Sequence, residues 1–197
     1  METLLPLFGY VVVSSVTPGP NNLMMLQSGA NFGLGRTFPH ILGVAFGFPV
    51  MIVAIGFGLT YVFDAYPAVH TVLKWVSFVY LLWLAWQIAS AGRPHAVAAD
   101  GRPVTFLQAA AFQWVNPKAW AMGIGALALF TTAGGNKVVE VGIIALLFGL
   151  VCLPNGVAWT LFGRAIAGFL QDDRNRLWFN IGMAVLLVVS VVPTLFE

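Results

Sequence analysis

The chain has 197 residues, of which 59% are hydrophobic and only 8% charged, with a formal net charge of +2. Soluble domains carry roughly 25% charged residues, so this composition excludes a water-soluble globule, which could not cover its own surface. The basic residues are scattered singly, which argues against a nucleic-acid or anionic-lipid patch.

A membrane helix needs about 20 mostly apolar residues. Six stretches qualify, at 4–27, 38–62, 68–90, 105–131, 138–162 and 176–196. Lipid offers no partner to backbone polar groups, so each is expected to be helical; the alternating pattern of a membrane barrel is absent. The first stretch follows Met1-Glu2-Thr3 with no basic n-region or Ala-x-Ala site, and reads as a retained span, not a cleaved signal. The expected fold is therefore an all-α membrane protein of six transmembrane helices. Cys152, the one cysteine, excludes an intrachain disulfide and sits in an apolar run as a small hydrophobe.

The longest joint, 91–104, is rich in Gly, Pro and charge and falls at the middle of the chain. It separates a first three-helix repeat (1–90) from a second (105–197). The first, third and fifth joints hold Arg36, Arg93, Arg102, Arg164, Arg174 and Arg176, against Lys74 and Lys137 opposite. That asymmetry places the arginine side, and so the 91–104 linker, in the cytoplasm with both termini outside.

Three spans per half is an odd number, so a duplicated half would lie upside down relative to the first, the plan of inverted-repeat transporters. Features recur in order. Pro18 and Pro117 lie 99 residues apart, Pro49 and Pro154 105, and Trp75 and Trp178 103. Spans 1 and 4 are also interrupted near mid-membrane, by Thr17-Pro18-Gly19-Pro20-Asn21-Asn22 and by Asn116-Pro117-Lys118. Proline within a helix removes a hydrogen bond and clashes with the preceding turn. In each case one helix is expected to stop and another to start, with Thr17 and Asn116 as N-caps and proline at the first helical position. Exposed helix N-termini attract carboxylates.

Lys118 is expected deep in its span, where a lysine costs about 2.5–3.5 kcal/mol and marks a functional site. The seven acids, Glu2, Asp64, Asp100, Glu140, Asp172, Asp173 and Glu197, all fall in joints or at span ends. An ammonium in a gap lined by amide donors suits a solute that brings its own carboxylate. Gln113, Asn155 and Asn180 fit interhelical hydrogen bonds as well as solute contact. Gly43 and Gly47 suit close packing, Trp75 and Trp178 interfacial anchoring, and His40, beside Arg36, a surface position at the cytoplasmic end.

The stretch TPGPNNLMML (17–26), followed by Gly33, Gly35, Gly43 and Gly47, resembles the first two spans of the LysE/RhtB amino-acid exporters. KWVSFVYLLWLAWQI (74–88) is similar to that family's third span and QWVNPKAW (113–120) to its fourth. The resemblance covers essentially the whole chain and runs weakly to Asn180-Ile181-Gly182. It implies a multi-pass secondary transporter of the bacterial inner membrane that exports amino acids or derivatives, driven by the proton gradient. The AWQIAS ending of span 3 and the QWVN segment look closest to the cysteine/O-acetylserine branch, with homoserine, threonine, leucine and lysine also open. The positions carried over as substrate-binding are Thr17, Pro18, Gly19, Pro20, Asn21, Asn22, Gln113, Asn116, Pro117 and Lys118. Proton coupling calls for a titratable group in the pathway. Lys118 could serve, or Asp64, Glu140 or His40 near a mouth; otherwise efflux is not proton-coupled.

Other classes fit less well. A redox carrier would need a cysteine pair, and a metal exporter clustered His, Cys or carboxylates; neither pattern occurs, and no metal or cofactor is expected. A membrane-embedded enzyme would need paired carboxylates or a nucleophile with its base. A structural or assembly subunit would leave the matched polar breaks unexplained. The expected partners are an amino-acid-like solute and the lipid bilayer, with a homo-oligomer left open.

Overall fold

The computed structural model describes residues 4–59, 102–132 and 135–191, together with nine positions between Val72 and Ser90. Among the described residues there are six α-helices and no strand: α1 (Leu4–Val16), α2 (Pro20–Ala54), α3 (Phe106–Phe112), α4 (Pro117–Phe130), α5 (Lys137–Ile166) and α6 (Asp173–Val191). The third expected span, 68–90, lies mostly outside the described residues; its described positions from Val72 to Ala89 are helical. Of the 91–104 linker, only Arg102 to Val104 is described.

Helix length decides how these elements fill a bilayer. At 1.5 Å per residue, α1 and α4, of 13 and 14 residues, reach only about 20 Å, short of the ~30 Å hydrocarbon core. Each needs the helix on the other side of a break to complete a crossing. In contrast, α5 has 30 residues and contains an 18-residue stretch of mean hydropathy 2.2, ample for one span. Side chains such as Leu5 (78% exposed), Leu107 (75%) and Leu129 (67%) form an apolar exterior that only lipid or protein can cover.

The joint expected at 28–37 is a single residue. The helix runs on through 32 and restarts at 34, with Gly33 at φ 73°, ψ 176° between the limbs, a conformation that glycine alone adopts without strain. Polar residues of the presumed loop are instead buried in helix, where they satisfy one another. Ser28 Oγ and Thr37 Oγ1 lie 2.8 Å apart, and Thr37 Oγ1 donates to Gly33 O at 2.8 Å.

The second limb of α2 crosses α5 in the opposite direction. Ile41 meets Gly156, Ala45 and Pro49 meet Gly149, and Gly56 meets Val141; the Phe48 and Phe148 rings pack edge to face at 4.9 Å. The first limb runs parallel to α5, and there glycine permits backbone contact: a side chain on Gly29 would overlap the Thr160 carbonyl, and one on Gly163 that of Leu26. Gly43 and Gly47 seat α3 in the same way, a Cβ on Gly47 lying 2.6 Å from Ala110 Cα. Because the obstruction is backbone, Gly29→Val should destabilise by at least the 1–3 kcal/mol typical of overpacking. Gly142, inside α5 with open space around it, should gain up to about 1 kcal/mol as alanine. Thermal unfolding in detergent reads both.

Candidate functional site

The first interruption is built differently from the expected pattern. Thr17 does not open a helix; it closes α1, its N–H donating to Val13 O (3.2 Å) and its hydroxyl to Ser14 O (2.8 Å). Gly19 is the N-cap of α2, in extended backbone at φ −175°, and Pro20 takes the first helical position, where a missing N–H costs nothing. The second proline of the pair therefore starts the helix, while Pro18 bridges the gap. Gly19 has no side chain, so nothing of its own caps α2.

At the second interruption, α3 opens with a capping box between Thr105 and Gln108 and passes into a single 3-10 turn, Gln113–Val115. Asn116 then turns extended (φ −97°, ψ 103°) and caps α4, its side chain accepting from Lys118 N at 3.2 Å, with Pro117 at the first helical position.

The two interruptions meet through the Lys118 side chain, which crosses from α4 to the end of α1. Its ammonium donates to Thr17 O (2.6 Å), Thr17 Oγ1 (2.8 Å) and Pro18 O (3.3 Å). These are freed groups at the C-terminal end of α1, where the helix dipole favours a cation. The lysine stem passes so close that a side chain on Gly19 would lie 2.6 Å from Lys118 Cδ. The closeness of the lysine, not backbone conformation, accounts for glycine there. Among the described residues no carboxylate pairs with Lys118, so its charge is solvated by oxygen dipoles without being neutralised.

Side-chain amides complete the junction. Asn21 and Gln113 exchange two hydrogen bonds, at 2.9 and 3.2 Å, and Gln113 Nε2 also donates to Ala109 O at 2.8 Å. Asn22 donates to Ser15 O (2.7 Å) and Thr17 O (2.9 Å) and accepts from Asn155 Nδ2 of α5 (2.8 Å). Gln113, Asn116 and Asn22 are 0, 2 and 4% exposed, a depth at which an unmade hydrogen bond costs about 1–3 kcal/mol. Between these groups lies a cavity of about 40 Å³, room for a few waters. Of the expected residues Gly19, Pro20, Asn21, Asn22, Gln113, Asn116 and Lys118 line it, joined by Ser15, Phe48, Met122, Cys152 and Asn155 among others. Ser15 Oγ is buried with no hydrogen-bond partner among the described residues.

All ten residues from Thr17 to Asn22 and from Gln113 to Lys118 singled out in the sequence thus gather at one junction. Of the residues suggested for proton coupling, Lys118 is at this junction, and Glu140 and His40 are not among the residues lining its cavity. Asp64 lies outside the described residues. Glu140 stands in the first turn of α5 and accepts from Thr132 Oγ1 (2.5 Å) and N (3.2 Å), tying down the loop before that helix. His40 is no surface residue: it is 0% exposed, because the sharp turn at Gly33 brings the start of the second limb into the bundle. Ser15 was missed as a cavity residue, while Asn155, which suited an interhelical hydrogen bond and solute contact equally, both bonds Asn22 and lines the cavity. Ser15 lies in the last turn before the break, so proximity to a proline interruption was its one sequence signal.

Residues 12–192 match the family model described as LysE type translocator. A cysteine/O-acetylserine efflux protein of Escherichia coli is 30% identical over 194 residues, covering 96% of each chain. Its namesake in Klebsiella pneumoniae subsp. pneumoniae is 31% identical over 185 residues, covering 93% of each, and that of Shigella flexneri serotype 5b is 29% identical over 186 residues. No solved structure matches. Matched along nearly its whole length by that model, the chain belongs to the LysE type translocator family.

Proposed function

We propose that this translocator exports a small amino acid or amino-acid derivative across the bacterial inner membrane, with cysteine and O-acetylserine the leading solutes. Homoserine, threonine, leucine and lysine are the next to test. The observation that carries the reading is the Lys118 ammonium, uncompensated by any carboxylate among the described residues and held between the ends of two half-helices. A solute carboxylate would exchange with the Thr17 and Pro18 oxygens for that ammonium and meet the start of α2, which lacks a side-chain cap. The solute's ammonium would turn to the amide oxygens of Asn21, Asn22 and Gln113, with Gly19, Pro20, Asn116 and Pro117 shaping the backbone around it.

An amino acid exceeds the 40 Å³ cavity, so its passage requires the surrounding helices to part. We read the chain as a 3+3 inverted repeat, 1–90 and 105–197 joined by the 91–104 linker, whose halves rock about the junction. Two features support this. The second limb of α2 and α5 cross in opposite directions at Phe48 and Phe148. The half-helices α1 and α4 also run antiparallel, Thr17 touching Lys118 and Tyr10 Oη donating to Met122 O. The arginine distribution favours both termini outside. Export is proton-driven in this reading, with Lys118 within the junction, or Asp64 or Glu140 at a mouth, as proton carrier.

In proteoliposomes, Lys118→Met should lower the kcat/KM for O-acetylserine more than tenfold, a loss exceeding about 1.4 kcal/mol, while inserting normally; unchanged transport would refute the assignment. Gln113→Leu strands the Asn21 amide and should cost about 1–3 kcal/mol, read as a lowered unfolding temperature that a paired Asn21→Leu, Gln113→Leu variant partly restores. Reporter fusions at both termini should be active only in the periplasm. An imposed pH gradient should accelerate uptake into inverted vesicles, and indifference to it would remove proton coupling.

A further inference from the structure

One buried polar side chain is used by neither the fold nor the junction. His40 is 0% exposed, and neither Nδ1 nor Nε2 has a hydrogen-bond partner among the described residues. A neutral imidazole carries one donor and one acceptor, and leaving both unmet in an apolar interior costs about 1–3 kcal/mol each. Other buried polar groups of α2 and α5 are paired: Ser28 with Thr37, Thr37 with Gly33 O, and Thr160 Oγ1 with Gly156 O at 2.7 Å. His40 stands apart from these.

Its position along the helix suggests what it is for. Arg36, His40, Val44 and Phe48 follow one another at intervals of four, which sets them along one side of the second limb. Val44 and Phe48 wall the cavity at the junction. Arg36 is exposed at the arginine-bearing end and lies against Phe32, 5.0 Å from its ring centroid. His40 therefore sits midway, about 6 Å by helix rise from the cavity wall on one side and from the exposed arginine on the other. The way between them is shut by packing: Met25, Ile41 and Gly156 meet below the cavity, and Gly29 and Gly163 hold the first limb of α2 against α5.

We propose that His40 lines the inner leg of the solute path, between the junction and the arginine-bearing face, and hydrogen-bonds the zwitterionic amino acid or its water when the first limb parts from α5. The imidazole lone pair would accept from the solute ammonium and its N–H would donate to the carboxylate. This rests on the transport reading above and extends it to one side of the membrane.

The test uses the full-length protein in membrane vesicles, with O-acetylserine as solute and a membrane-impermeant cationic methanethiosulfonate as probe. Peptide mapping separates modification of an introduced cysteine from that of Cys152. In His40→Cys, and in Thr37→Cys one turn nearer the arginine end, labelling should rise several-fold when solute is supplied, and only from the arginine-bearing side. His40→Gln, which keeps a donor and an acceptor, should transport with an altered KM, and His40→Leu should lose most transport. The inference is overturned if both cysteines stay unlabelled from that side, or if His40→Leu transports with unchanged KM. Lys118→Met, run in parallel, separates the failures: if it alone abolishes transport, the junction stands and the inner leg does not; if it transports normally, the junction itself is wrong.

Discussion

Backbone groups released where a helix breaks inside a membrane must find partners within the protein, because lipid supplies none. In this chain two helix interruptions, at Thr17 to Gly19 and at Gln113 to Asn116, are brought together, and each provides what the other lacks. The loose carbonyls at the end of α1 receive the Lys118 ammonium from α4 and the Asn22 amide from α2. Asn22 is in turn held by Asn155 of α5, and Asn21 by Gln113 at the end of α3. Neither break would be tolerable alone. Once paired, they make a polar site in the interior of an otherwise apolar bundle.

The same pairing shapes how a solute could bind. Lys118 is engaged by three oxygen acceptors, so in the proposed binding mode a carboxylate would exchange for them and would not simply dock on a bare charge. Such an exchange would gain little net energy, which would serve a translocator that has to let its solute go. Stability and binding thus draw on one set of groups, and a ligand shifts the conformation only by its differential affinity for the states.

Glycine supplies the second half of the design. Gly29 and Gly163 bring α2 and α5 into backbone contact, and Gly156 makes room for the Ile41 and Met25 side chains, the close approach that drives helix association where the hydrophobic effect is absent. Interfaces of this kind hold little interlocking side-chain bulk, so two helices can separate without many rotamers being rebuilt. In the second limb of α2, His40, the one histidine among the described residues, is fully buried with both ring nitrogens unpartnered.

By itself the sequence determined the membrane class, the helical content and the neighbourhood of both breaks, since charge poverty, runs of about 20 apolar residues and proline geometry are local properties. The Asn116-Pro117 cap was readable from the dipeptide. At the first break the sequence pointed to Thr17 as the cap and Pro18 as the first helical residue, whereas the helix starts at Pro20 behind Gly19, since either proline meets the same local rule. The pairing of Asn21 with Gln113, the placing of Asn155 and Ser15 on the cavity, and the burial of His40 all came from tertiary structure. They depend on the chain reversing at Gly33 and on which helix faces pack together, and a span that is apolar on every side carries no periodic signal of which face turns inward.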